Sequence, residues 1–233
     1  MKKLLLPSLF ILFLGAGCAK SPTILERPES TRAPVTPQVS MTSSTQASYE
    51  PTDAQVTLSH TLVPSAPNVK TGEPFRFPGI LPKAELEHVH VRVKTKKGDM
   101  VFQLLPNEGP NAASNFAYLV KNGFYDGLVF HRVIPGFVAQ GGDPMGADPS
   151  IAGRGGPGYQ FPDDSVHLPY REGTLAMANS GPNTNGSQFF IVLDDHAGFD
   201  GPKYSIFGSI IEGKEVLKNI VVGDVMQSVT LEK

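Results

Sequence analysis

Arg132 stands inside a run of branched and aromatic residues, "LVFHRVIPGFVAQGGDP" from Leu128 to Pro144, and Gln140 follows it at an even spacing. The run reads as a strand that ends in glycines, and evenly spaced strand residues share a face. Pro135-Gly136 interrupts the count. The pair could present a guanidinium donor on a stiff wall, with an amide beside it to limit its rotamers. A second stretch, "MANSGPNTNGSQFFI", carries the amides Asn179 and Gln188 just ahead of Phe189-Phe190. Other chemistries find little support. There is no HExxH, P-loop, GxSxG or CxxC motif. His88 and His90 share the polar face of one strand without a third ligand nearby, so a solvated face is expected and no metal. Asp163-Asp164 and Asp194-Asp195 lack a third carboxylate. "GRGGPG" lacks the strand-to-helix switch and lysine of a phosphate loop. Taken singly, Arg132 would be a surface ion-pair partner, Phe137 and Phe190 core residues, and Gln140 a solvated amide. Only their joint occurrence points to a site.

Those residues need a frame. "EHVHVRVKTKKGDMVFQLL" predicts a hairpin, with Val89, Val91 and Val93 alternating with polar residues, a turn at Lys97-Gly98-Asp99, and Met100, Phe102 and Leu104 resuming the alternation. "GPNAASNFAYLVKNGFY" predicts a helix: Pro110 suits its first position, Phe116, Leu119 and Val120 form a stripe, and Gly123 suits its stop. Residues 141–158 are too rich in Gly and Pro for regular structure. "GTLAMAN", "SQFFIVL", "KYSIFGSII" and "QSVTLEK" read as further strands, and "GKEVLKNIVV" as a second, shorter helix. Many short strands, two helices and no alternating βαβ pattern predict a mainly β fold, a closed or nearly closed antiparallel barrel capped by helices.

The N-terminus reads differently. Lys2 and Lys3 precede an apolar run, Leu4 to Leu14, too short to span a bilayer as a helix. Gly15, Ala16, Gly17 and the only cysteine, Cys18, follow, which is the order of a secretory signal. A cysteine after small residues resembles the bacterial lipobox, although Leu14 stands one place early and Gly15 fills its slot. Residues 1–18 are therefore expected to be a signal, with lipidation at Cys18 and anchorage to a membrane of the cell envelope. Residues 19–75, rich in Pro, Ser, Thr and Gln, are expected to form a disordered tether spanning on the order of 40 Å. Residues 76–85 could pack as an arm on a domain running from 86 to 233. A net charge of −2 gives no bulk attraction to nucleic acid.

The stretches "FHRVIPGFVAQGGDP" and "MANSGPNTNGSQFFI", with "FDGPKYSIFG" after them, resemble the cyclophilin family of peptidyl-prolyl isomerases, and the resemblance covers about 86 to 233. It implies an eight-stranded antiparallel barrel capped by two helices, and acceleration of rotation about X–Pro bonds without a cofactor. Carried over position by position, it makes Arg132 the catalytic arginine and Gln140 the residue that steadies it. Phe137, Val138 and Phe190 fall on the proline pocket, Asn179 on the residue whose main chain holds the substrate, and Gln188 on the neighbouring groove. The usual LDGK becomes Phe199-Asp200-Gly201-Pro202-Lys203, so the pocket leucine maps to Phe199 and the pocket histidine of many eukaryotic members to Tyr204. The tryptophan that many members use to bind cyclosporin is absent, with Gly198 near its place. The implied partners are proline-containing polypeptides folding in the envelope, and a monomer is expected. The rival reading is a non-catalytic module that grips proline segments; Arg132 favours the enzyme, since gripping needs the pocket and not the donor.

Overall fold

The computed structural model describes residues 71–199 and 204–233. Eight strands form one curled antiparallel sheet: β1 (His90–Thr95), β2 (Gly98–Leu104), β3 (Arg132–Ile134), β4 (Val138–Gly141), β5 (Thr174–Met177), β6 (Phe189–Val192), β7 (Ile206–Glu212) and β8 (Ser228–Glu232), in the order β3-β4-β6-β5-β7-β2-β1-β8. The end strands β3 and β8 share no ladder. The segments just before them meet at one antiparallel bridge, Val129 with Val225. Around that bridge Gly127 N donates to Met226 O, Met226 N to Leu128 O, and Phe130 N to Asp224 O.

Three local readings need correction. The stretch 128–144 is two strands, which supplies the eighth. Phe137 N donates to Ile134 O across Pro135-Gly136, and Gly136 has φ 71°, the arrangement of a type II turn with proline second and glycine third. The proline and glycine outweigh the branched residues around them. The turn of the first hairpin is Lys96-Lys97, with Gly98 already paired to Thr95 in β2. The described residues carry three helical segments: α1 (Lys83–Leu86), α2 (Pro110–Lys121) and α3 (Lys214–Leu217). The third stops after four residues. Beyond it the chain tightens into shorter turns, with Asn219 N donating to Val216 O and Ile220 N to Leu217 O, and the exposed Val221 and Val222 run into Gly223.

The long helix α2 follows from its sequence. Its buried side includes Ala113, Phe116, Ala117 and Val120, at helical spacing. Gly123 N donates to Val120 O and Phe124 N to Leu119 O, which closes its C-terminus. Phe116 packs on Tyr125, Phe189 and Phe207 at ring-centroid distances of 4.7, 5.3 and 4.9 Å. Among the described residues the first buried one is Phe75, the last residue of the expected tether, which lies edge-on to Phe124 with centroids 5.1 Å apart. Phe77 stacks on Phe161 at 5.0 Å, and Leu81 N donates to Ser114 Oγ, so residues 75–81 lie along the domain.

Strand alternation then separates two apolar layers. Phe189 and Ile191 of β6 join the main core, as do Leu175 and Met177 of β5. Their neighbours Phe190, Val192 and Ala176 face the other way and form a smaller cluster with Val138 and Ile206. The period of two decides this: both faces of β6 are covered, and the second cover is the candidate site.

Candidate active site

Strand register builds the site as a row across the sheet. Arg132 pairs with Gln140, Gln140 with Phe190, Phe190 with Ala176, and Ala176 with Ile206. Directly opposed residues share a face, so the row grades from an exposed cation through an amide to buried apolar side chains. Arg132 and Gln140 thus do share a face, as expected. They do so across a hairpin, not along one strand.

Side-chain hydrogen bonds fix the polar end. Arg132 Nη1 donates to Gln140 Oε1 at 3.1 Å, and Gln140 Nε2 donates to Gln188 Oε1 at 3.0 Å. Gln188 Nε2 donates to the carbonyls of Gly153 at 3.0 Å and Gly155 at 2.9 Å. Each amide oxygen accepts and each amide nitrogen donates, so the chain of bonds is directional and sets both amide orientations. The guanidinium carbon lies 6.0 Å from the centroid of the Phe137 ring.

The apolar end is a stack of rings. Phe199 lies nearly parallel to Phe137 at 5.0 Å and to Phe190 at 5.4 Å, while Tyr204 meets Phe190 edge-on at 5.4 Å. Val138 is buried in the same cluster. Sequence reading missed Tyr170. Its ring stacks on Phe199 at 4.4 Å, and its hydroxyl donates to Tyr204 O at 2.8 Å while accepting from Tyr204 N. Burial pushes its phenol pKa up. An isolated tyrosine ahead of a strand carries no signal that it will hold a segment thirty-odd residues away.

Asn179 stands on the other side of the row. Its side-chain amide donates to Asp163 Oδ1 and to Asn185 Oδ1, both at 3.2 Å. Asn179 also lines, with Gln140 and Gln188, a cavity of about 560 Å³ walled by residues 153–160, Thr184 and residues 186–188. Sequence reading also missed His131. Both its ring nitrogens are buried with no hydrogen-bond partner among the described residues. Its pKa lies below the ordinary histidine value, through burial first; Arg132 adds to the effect and Asp143 opposes it. The exposed Arg132 guanidinium therefore stands beside a histidine biased to neutrality. Of the expected residues, Arg132, Gln140, Phe137, Val138, Asn179, Gln188, Phe190, Phe199 and Tyr204 come together. Cys18 lies outside the described residues. Among the described residues no three His, Cys, Asp or Glu side chains converge as a metal site.

Comparison with known proteins points the same way. Residues 90–233 match the family model described as cyclophilin type peptidyl-prolyl cis-trans isomerase/CLD. A peptidyl-prolyl cis-trans isomerase of Helicobacter pylori is 44% identical over 144 residues, 60% of this chain and 85% of that protein. Isomerase B of Bacillus subtilis is 45% identical over 133 residues, 56% of this chain and 89% of that one. Among solved structures, a Cryptosporidium parvum cyclophilin crystallised with the dipeptide Ala-Pro matches with a TM-score of 0.55 and 36% identity, over 62% of this chain and 99% of its own.

Proposed function

This chain belongs to the cyclophilin-type peptidyl-prolyl cis-trans isomerase family and is a cofactor-independent prolyl isomerase, and from that premise we propose how its residues divide the work and where it acts. The planar X–Pro amide is held by resonance worth a barrier of ~18–20 kcal/mol, and unaided exchange takes tens of seconds or more. Reaching milliseconds requires roughly 10⁴-fold, or about 5.5 kcal/mol.

Arg132 supplies part of this. As the bond twists, the prolyl nitrogen turns pyramidal and regains a lone pair, and a guanidinium donor aimed at it favours the twisted state over the planar one. A charge-assisted hydrogen bond contributes about 1.5–3 kcal/mol. The remainder comes from seating the proline ring on Phe137, Val138, Phe190, Phe199 and Tyr204, and from turning the carbonyl in a dry site, where the planar amide with its larger dipole loses more by leaving water. Gln140 restricts the arginine. The main chain at Asn179 holds the substrate backbone, and Gln188 floors the adjoining groove. The observation that most supports this division is the Arg132–Gln140–Gln188 hydrogen-bond chain at the rim of a ring cluster. The Ala-Pro dipeptide of the cyclophilin neighbour supports proline-containing peptides as ligands.

Arg132→Ala tests the reading. Its kcat/KM on a proline tetrapeptide should fall about 10- to 150-fold, with melting temperature and peptide affinity largely kept. A variant of near-full rate removes Arg132 from the mechanism.

Two further parts of the proposal concern architecture and place. The sheet closes as a barrel along the β3–β8 seam, for which the Val129–Val225 bridge and its flanking bonds argue. The mature protein is held at the cell envelope through lipid on Cys18, with residues 19–74, up to the packed Phe75, as the tether, and its substrates are proteins folding there. Cys18→Ser should move the protein from the membrane to the soluble fraction on cell fractionation. Retention in the membrane pellet would count against the lipid anchor.

A further inference from the structure

We propose that Arg154 makes this isomerase selective for acidic substrates, by pairing with a carboxylate side chain two residues before the proline. The inference rests on the site assignment above and adds the class of peptide.

The cavity beside the amide chain is lined mainly by glycines, small polar side chains and amides, and among the described residues Arg154 is the only charged one on its wall. Its backbone is clamped from both sides. Gly153 N donates to the buried carboxylate of Asp143 at 2.5 Å, the carbonyls of Gly153 and Gly155 accept from Gln188, and Arg154 N donates to Ile151 O. The loop is held by the same glutamine that ends the chain of bonds from Arg132. Arg154 therefore stands at a fixed place relative to the site, while its side chain is exposed and makes no ion pair among the described residues. The carboxylates nearby are already engaged. Asp143 accepts from Met145 N and Gly153 N, and Asp163 from the amides of Asn179 and Asn185 and from Asn183 N.

Direction follows from the row. The ring cluster takes the proline ring, and the guanidinium faces the prolyl nitrogen, which is the N-terminal side of that residue. Gln140 and Gln188 continue from the guanidinium to the cavity, so the chain entering it precedes the proline. An extended peptide turns alternate side chains to the same side at ~3.3 Å rise per residue. The side chain directed at the cavity is then that of the second residue before the proline, and the residue between points away.

The test uses the full chain and three acetylated peptides, Glu-Ala-Pro-Phe, Gln-Ala-Pro-Phe and Lys-Ala-Pro-Phe. An exposed ion pair predicts kcat/KM for the glutamate peptide about two- to five-fold above the glutamine peptide, with the lysine peptide lowest. The preference should shrink as salt rises. It should vanish in Arg154→Gln and invert in Arg154→Glu, with circular dichroism confirming that both variants fold. Equal rates on the three peptides, or a preference that survives in Arg154→Gln, overturn the assignment to Arg154. Turnover of none of them overturns the site assignment together with it.

Discussion

At the scale of the residue, Gln140 decides whether Arg132 is a surface cation or an aimed donor. An arginine carries about 2 kcal/mol of rotamer entropy, and fixing it needs a partner that is itself fixed. Gln140 meets that need because Gln188 holds its nitrogen, leaving its oxygen turned to the guanidinium. Gln140→Met keeps the volume and removes both bonds. Loss of one charge-assisted bond predicts a fall in kcat/KM of about tenfold or more, with little change in KM, read in a protease-coupled assay. An unchanged kcat would mean the arginine is aimed by its own strand alone. Both residues were legible in the sequence because they sit in long matched motifs. Tyr170 and His131 were not. The first acts through a hydroxyl on a distant main chain, and the second through its lack of partners. Neither property is written in local spacing.

At the scale of the element, the strands were legible where one face is apolar and the other polar, as in β1, with buried Val91 and Val93 alternating with Arg92 and Lys94. They were harder to read where both faces are covered. All four residues of β6 are buried, and only the register shows that Phe190 looks toward the site and Phe189 into the core. The split of 128–144 into two strands was hidden because branched residues flank the turn on both sides. The helix α2 has a comparable hidden support. Gly109 at its N-cap offers no side chain, and Asp164, more than fifty residues on, accepts from Asn111 N at 3.0 Å and Ala112 N at 2.9 Å. It caps the helix from another segment, while Ser205 Oγ accepts from Asp164 N. Asp164→Ala should lower unfolding free energy by about 0.5–2 kcal/mol, as removal of a helix cap does. Denaturant titration measures it, and a midpoint equal to that of the parent would show that α2 does not depend on this carboxylate.

At the scale of the whole molecule, stability should depend on pH through His131. The side chain is packed under the glycine-rich loop: a side chain added at Gly146 would come within 3.1 Å of its Cβ. Burial lowers its pKa, so the folded state resists protonation while the unfolded chain accepts a proton near pH 6.5. The stabilising contribution is present above that value and is lost as pH falls through the lower, folded one. The melting temperature should therefore drop between about pH 7 and pH 5, and drop less in His131→Gln. Parallel melting curves for the two proteins would exclude His131 as the source. The transverse row also bears on how the molecule can change. Its members are joined by strand pairing across β3, β4, β6, β5 and β7, while Asn179, Gln188, Phe199 and Tyr204 come from the connections between those strands. A change of length in the 142–173 connection leaves the paired row in place and alters the cavity wall beside it. A slip of one position in any of the pairings would turn the catalyst inside out. Sequence drift in such a molecule can retune which clients it accepts without ever touching the step it performs on them.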